Sequence, residues 1–198
     1  MNFEKVHSNQ GECLRGLLKI YPKLFHDSRG FFQESWNKKN WDAALKAQNQ
    51  LPKSFVQNNH SRSKKGTLRG LHYQLDPNPQ GKLVSCINGK IYDVAVDLRR
   101  DSETFGSWAG LELSSENNIQ FWIPSGFAHG FLTLSKQADV IYNVNEYWDK
   151  SSERSLNFND KKLDIDWPID YLNDAEIELS NKDKRAPFLD EISNEDLF

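Results

Sequence analysis

The sequence predicts an all-β domain, either a sandwich or a jelly-roll barrel. Two observations carry this: short β-prone segments recur along the chain between Gly, Pro and Asn, and helix signals are few. In chain order, the first strand is expected at residues 18–21, Leu-Lys-Ile-Tyr, and the next at 31–36, just after Gly30. The one good helix signal follows, from Asn40 to Gln48, with Asn40 as N-cap and Trp41, Ala44 and Leu45 on one face. Further strands are expected at 54–58, 68–74, 83–88, 90–98, 119–123, 131–134 and 140–147.

One pairing can be registered from sequence. Asn88-Gly89 is the strongest two-residue turn signal in the chain and lies between two alternating apolar runs. A hairpin there opposes Ile87 to Lys90, Val84 to Asp93 and Lys82 to Ala95. Lys82, Val84, Cys86, Ile91, Asp93, Ala95 and Asp97 then share one face, which sets Lys82 diagonally from Asp93 and Asp97. The other face carries Leu83, Ile87, Tyr92, Val94, Val96 and Leu98 and reads as packing core. A face that mixes charge with small apolar residues is either solvent-facing or the lining of a polar cavity, and patterning alone leaves both open.

A chain of 198 residues fits one domain, with a core over about 18–170 and a C-terminal extension over 171–198. Such a chain buries roughly 70% of its unfolded surface, enough to need no disulfide or metal staple. Cys13 and Cys86 lie far apart and form no CxxC, which fits a reducing cytosol. The first seven residues lack the apolar core of a signal peptide, and no apolar run approaches a membrane span, so a cytoplasmic protein without membrane contact is expected. With 25 Lys+Arg against 28 Asp+Glu, the net charge of −3 does not favour a nucleic-acid partner. Aromatic residues make up 12% of the chain and include six Trp, which suits stacking against a flat or ring-shaped ligand.

The candidate chemistry begins in Thr67-Leu68-Arg69-Gly70-Leu71-His72-Tyr73-Gln74, with a lysine following in Gly81-Lys82-Leu83. An imidazole can take a proton near neutral pH, and the neighbouring cations can hold negative charge. That combination suits proton removal beside a carbonyl on an anionic substrate. Arg62, Lys64, Lys65 and Arg69 crowd just ahead of His72, a patch that suits phosphate or diphosphate; Lys64 and Lys65 alone would read as a solvated turn.

Longer motifs carry a family resemblance. Phe25-His26-Asp27-Ser28-Arg29-Gly30-Phe31-Phe32-Gln33-Glu34, Phe55-Val56-Gln57-Asn58-Asn59-His60-Ser61 and the His72 segment closely resemble the dTDP-4-dehydrorhamnose 3,5-epimerase family. So do Gln80-Gly81-Lys82-Leu83-Val84, Phe105-Gly106-Ser107-Trp108, the run from Trp122 to Phe131, and Asp164-Ile165-Asp166-Trp167-Pro168, all in the family's order and spacing. The resemblance implies a cupin-type jelly-roll barrel with a few short helices, mainly peripheral and C-terminal. It also implies a homodimer exchanging the 25–36 segment, a dTDP-4-keto-6-deoxy sugar substrate and no cofactor.

Carried over residue by residue, the resemblance makes His72 the base that removes protons beside the C4 ketone, with Asp183 as its acidic partner. Lys82 matches the residue that steadies the enolate oxygen, and Tyr142 the acid that returns a proton on the opposite sugar face. Arg69 matches a diphosphate ligand, while Gln57, Asn59 and His129 match further substrate-binding positions. Arg29, Phe32 and Glu34 resemble the segment that reaches into the neighbouring subunit's site. Two departures stand out: Asn143 follows Tyr142 where many members carry lysine, and Tyr147-Trp148 replaces a pair of tyrosines. They bear on which sugar is preferred and on whether one or two centres are inverted.

Two other readings meet the same residues. Pro124-Ser125-Gly126-Phe127-Ala128-His129 matches half of a cupin metal motif, but His72 is followed by Tyr73 and Gln74, with no glutamate until Glu103. A lone His129 falls short of the three or four ligands a transition-metal site requires, so no metal is expected. A non-catalytic sugar-binding cupin would explain the aromatics and the basic patch. It has no use for a base, an orienting acid and an opposing proton donor in one chain.

Overall fold

Period-two alternation of side chains builds two antiparallel sheets that face one another across an apolar core. The structure is a computed structural model and describes residues 2–198. The strands are β1 (Asn2–His7), β2 (Cys13–Tyr21), β3 (Leu24–Asp27), β4 (Gly30–Gln33), β5 (Gln57–Lys64), β6 (Leu68–Gln74) and β7 (Lys82–Asn88). They continue as β8 (Lys90–Asp97), β9 (Trp108–Ser114), β10 (Gln120–Ile123), β11 (Phe127–Thr133), β12 (Gln137–Val144) and β13 (Glu153–Ser155). A six-stranded sheet runs β1-β2-β10-β7-β12-β5 and a five-stranded one β13-β6-β11-β8-β9, while β3 and β4 form a separate hairpin. The interleaved order is a jelly-roll pattern, and the two sheets stay distinct.

Three apolar layers follow from the alternation. Val84, Ile91, Ala95, Leu113, Phe121 and Val140 come from both sheets and fill the space between them. Val94, Val96 and Leu132, pointing the other way, pack under the C-terminal coat with Leu163, Trp167 and Leu172. On the far side of the six-stranded sheet, Leu18, Ile20, Leu83 and Trp122 receive Trp41 and Leu45 of α1 (Lys38–Ala47), the single α-helix among the described residues. That helix buries the expected face, Trp41, Ala44 and Leu45, but starts earlier than Asn40. Asn37 is extended at φ −145° and its side chain accepts from the Asn40 N–H, so Asn37 is the cap and Asn40 lies inside. Four short 3₁₀ turns, Ile169–Leu172, Asp183–Arg185, Leu189–Glu191 and Asn194–Asp196, complete the C-terminal coat.

The Asn88-Gly89 hairpin does not form. β7 pairs with β10 and β12, whereas β8 pairs with β11 and β9 in the opposite sheet. Gly89, at φ +75°, carries the chain across from one sheet to the other, and a Cβ there would meet the Gln137 carbonyl oxygen at 2.1 Å. The face assignment nevertheless holds in most places. Val84, Cys86, Ile91 and Ala95 point into the inter-sheet core, while Val94, Val96 and Leu98 pack on the outer side; Ile87 is exposed. β5 runs 57–64 rather than 54–58, and β12 stops at Val144, leaving Tyr147 and Trp148 in the following loop.

Candidate active site

His72 sits in the middle of β6, and the antiparallel register places His129 of β11 directly across from it. Gly70 and Gly130 let the strands approach this closely: a Cβ on Gly70 would lie 2.6 Å from the Gly130 Cα and 2.7 Å from the His129 carbonyl oxygen. The two imidazoles then project toward the inter-sheet space, each with its own carboxylate.

His72 Nε2 donates to Oδ1 of Asp183 at 2.6 Å. A carboxylate can only accept, so Nε2 carries the proton and Nδ1 keeps its lone pair, the form a general base requires. Burial pushes the Asp183 carboxyl up, but the hydrogen bond and charge of His72, with Ser180 and Lys182, hold it below its ordinary value. The segment that brings Asp183 here is clipped to the sheet. Leu68 N–H donates to the Glu178 carbonyl at 3.0 Å, Glu178 N–H to the Gly66 carbonyl at 2.9 Å, and Lys64 pairs with Glu178 at 2.8 Å. Gly66 has no room for a side chain, since a Cβ would lie 2.3 Å from the Glu176 carbonyl oxygen.

His129 Nε2 donates to both oxygens of the fully buried Asp93 at 3.0 Å. Burial raises the Asp93 carboxyl against the lowering pull of His129 and Lys82. Lys82, at the start of β7, is only 8% exposed and makes no ion pair among the described residues. Burial brings its ammonium down to about 8, opposed by the charges of Glu153 and Asp93. The expected company of Lys82 is thus half right. Asp93 is close enough to act on it, while Asp97 is taken up by Arg99, Ser102 and Thr104.

Tyr142 lies on β12 between Asn59 of β5 and Val84 of β7. Burial raises its phenol, with Arg69 lowering and Glu153 raising it further. A cavity of about 600 Å³ is lined by Arg69, His72, Lys82, His129, Tyr142 and Asp183, among others. A side chamber of about 140 Å³ shares His72, Lys82 and Tyr142 and adds Gln57, Asn59 and Trp148. Within it Gln57 Nε2 donates to Asn59 Oδ1 at 2.7 Å, and Trp148 N–H to Gln57 Oε1 at 3.2 Å.

Not every expected residue reaches this space. Arg29, Phe32 and Glu34 line neither chamber. Arg29 is held by Asp27 at 2.6 Å with its side chain 87% exposed, Phe32 is 68% exposed, and Glu34 accepts from Asn37 and Asn40 beside α1. Tyr147 is exposed in the loop after β12. Asn143 faces away from Tyr142, and its side-chain oxygen accepts from Asn58 at 2.8 Å, so this departure from the family pattern does not touch the cavity.

Sequence reasoning missed Glu153. It lines the side chamber, pairs with Lys182 at 2.5 Å and accepts from the Trp148 indole at 3.3 Å. Burial raises its carboxyl, and Lys182, Trp148 and His72 together bring it below its ordinary value. Its strand, β13, is three residues long, too short for any periodicity to announce.

A family model described as dTDP-4-dehydrorhamnose 3,5-epimerase matches residues 12–191. The chain belongs to this epimerase family. A dTDP-4-dehydrorhamnose 3,5-epimerase from Salmonella typhimurium is 49% identical over 175 residues, 88% of this chain and 91% of that protein. One from Pseudomonas aeruginosa is 51% identical over 165 residues, 83% and 86% of the two chains. The crystal structure of dTDP-6-deoxy-D-glucose-3,5-epimerase from Legionella pneumophila, in complex with dTDP-4-keto-L-rhamnose, matches with a TM-score of 0.88 and 45% identity, over 99% of this chain and 97% of that one. The fold is therefore the cupin-type jelly roll of these epimerases, as the motifs implied. The matched span 12–191 contains every candidate site residue of this epimerase-family chain, from Arg29 to Asp183.

Proposed function

We propose that this chain inverts C3 and C5 of dTDP-4-dehydro-6-deoxyglucose, in dTDP-rhamnose or related deoxysugar synthesis. The observation that carries the reading is the His72–Asp183 contact of 2.6 Å, opening on a cavity shared with Lys82 and Tyr142. His72 Nδ1 takes the proton from the carbon beside the C4 ketone, and Asp183 stabilises the imidazolium that results. The electron pair moves onto the ketone oxygen, where Lys82 steadies the enolate. Tyr142 returns a proton from the other face, inverting the centre; the phenolate and imidazolium then reset by exchange with solvent.

Charge along the cavity supports an anionic substrate. Arg62 and Lys64 are each paired, with Asp139 and Glu178, while Arg69 and Lys82 carry no ion pair among the described residues. Arg69 is thus available to a diphosphate and Lys82 to an enolate oxygen. Gln57, Asn59 and His129 offer hydrogen bonds to the sugar, and Trp148, lining the side chamber, offers a stacking face, with Tyr147 beside it in the loop.

We further propose a homodimer in which residues 25–36 cross to the partner, bringing Arg29, Phe32 and Glu34 to its nucleotide site. The exposure of Phe25, Phe31 and Phe32 on the β3–β4 hairpin supports such an exchange. Both cysteines are free, which suits the cytoplasm. Among the described residues no helix is long and apolar enough to cross a membrane.

The test is incubation with dTDP-4-dehydro-6-deoxyglucose in D₂O, with the product read by NMR. Deuterium at both C3 and C5 with inverted product is expected. Exchange at one carbon only would make the enzyme a single-centre epimerase, and binding without exchange would make it a sugar-binding cupin.

A further inference from the structure

Most arginines that make side-chain contacts in this structure rest on a carboxylate: Arg29 on Asp27, Arg62 on Asp139, Arg99 on Asp97 and Arg154 on Asp196. Arg69 and Arg185 rest on neutral oxygens instead, and of the two only Arg69 lines the main cavity. Its Nε donates to the Ser63 hydroxyl at 2.9 Å and its NH2 reaches the Arg62 carbonyl at 3.4 Å, both neutral oxygens. Ser63 is 4% exposed, on the edge strand β5, and it lines the main cavity with Arg69.

We propose that Ser63 is a positioning residue for diphosphate recognition, fixing the Arg69 guanidinium without neutralising it. The proposal rests on reading Arg69 as the diphosphate contact. A guanidinium grips phosphate best when its planar fork is already oriented, because less side-chain freedom is lost on binding. A carboxylate would orient it equally well but would cancel the charge that the phosphate needs. A hydroxyl orients and leaves the charge intact. Ser63 accepts from Nε, so one terminal nitrogen, NH1, carries no partner and remains open to a ligand.

The test is calorimetric and NMR titration of the full chain with dTDP and with thymidine. Ser63→Ala should weaken dTDP binding about tenfold, the scale of one hydrogen bond to a charged group, and leave thymidine within about twofold. Ser63→Cys, which keeps the volume but accepts poorly, should do the same and guards against a folding defect in the alanine variant. Ser63→Asp should weaken dTDP more than either, because it supplies the carboxylate pairing seen at Arg29, Arg62, Arg99 and Arg154. In an Arg69→Met background, Ser63→Ala should have no further effect. With the dTDP-keto sugar as substrate, KM should carry the larger share of the loss. Equal losses for dTDP and thymidine, full additivity with Arg69→Met, or a Ser63→Asp variant that binds dTDP like the unsubstituted protein would each overturn the proposal. If the unsubstituted protein binds thymidine as tightly as dTDP, the diphosphate role of Arg69 falls, and the role of Ser63 with it.

Discussion

Replacing Lys82 by methionine should make the protein more stable while removing most of its activity. Lys82 is buried without an ion pair among the described residues, and burial takes its ammonium from 10.5 to about 8. At 1.36 kcal/mol per pKa unit, that lowering corresponds to a cost of roughly 3 kcal/mol at neutral pH. Methionine fills a similar volume with no charge to desolvate. That cost is already net of the favourable charges of Glu153 and Asp93, so the stabilisation should be at most about 3 kcal/mol. The pH dependence has a definite sign. Below about pH 8 Lys82 is charged in both folded and unfolded chains, and the full cost is present. Between about 8 and 10.5 the folded chain gives up its proton first, so the unsubstituted protein gains stability and the gap to the variant closes. Urea unfolding followed by tryptophan fluorescence at pH 7 and pH 10, at one protomer concentration, reads both. Turnover should fall about 10²-fold or more, the scale of one preorganised donor. A variant less stable at pH 7, or a gap that stays constant to pH 10, would refute this account of the buried ammonium.

The other expectations concern the remaining groups assigned to the reaction above and the proposed dimer. His72→Ala should cost about 10²–10⁴-fold in turnover with the melting temperature preserved, and near-normal activity would show that another group is the base. Asp183→Asn should cost less, because the imidazole stays but loses the carboxylate that orients it; a loss larger than that of His72→Ala would contradict the assigned roles. In Tyr142→Phe, abstraction by His72 should continue, so solvent deuterium should still enter the substrate while inverted product falls steeply by NMR. An enzyme as active as the unsubstituted one would transfer the acid role to water or another side chain. Light scattering should give about twice 22.9 kDa at micromolar concentration, and a monomer would remove the shared site.

Strands with apolar buried faces were the easiest to place from sequence, while β5 was misplaced and β9 missed for physical reasons. β6 is expected and observed at the same residues, Leu68–Gln74, because the apolar residues of Leu-Arg-Gly-Leu-His-Tyr pack on the outer layer. β5, Gln-Asn-Asn-His-Ser-Arg-Ser-Lys, has no apolar residue, since its inward side faces a wet cavity and its outward side faces solvent. β9 carries Gly110 in its middle, where the Tyr92 ring occupies the place of a side chain; a Cβ there would lie 2.1 Å from the Tyr92 hydroxyl. α1 was misplaced at its start because asparagines stand at both 37 and 40, and only the backbone shows which one caps.

The false hairpin is the more instructive case, because it gave the wrong neighbours and nearly the right faces. A period-two pattern decides which side chains of a strand share a face, and that decision does not depend on the partner strand. Lys82 shares its face with Val84 and Cys86, and Asp93 with Ile91 and Ala95, whichever strands pair, and the fold turns both faces into the inter-sheet core. Once the fold makes those faces inward, their two charges require a cavity, since burying them in plain core would cost several kcal/mol per ion. What the pattern could not supply was distance. His72 and Asp183 are 111 residues apart, and no local signal joins a mid-strand histidine to a short C-terminal turn. Family resemblance supplied that pair, and it also supplied Tyr142, whose strand lies on the opposite sheet. Glu153 had neither a pattern nor a family motif to mark it, yet it stands where its charge acts on both Lys82 and Tyr142. The site is thus built from residues whose shared faces are local and whose meeting is topological. For that reason local sequence marked His72 and Lys82, while Asp183 and Tyr142 came from the family resemblance and Glu153 only from the fold.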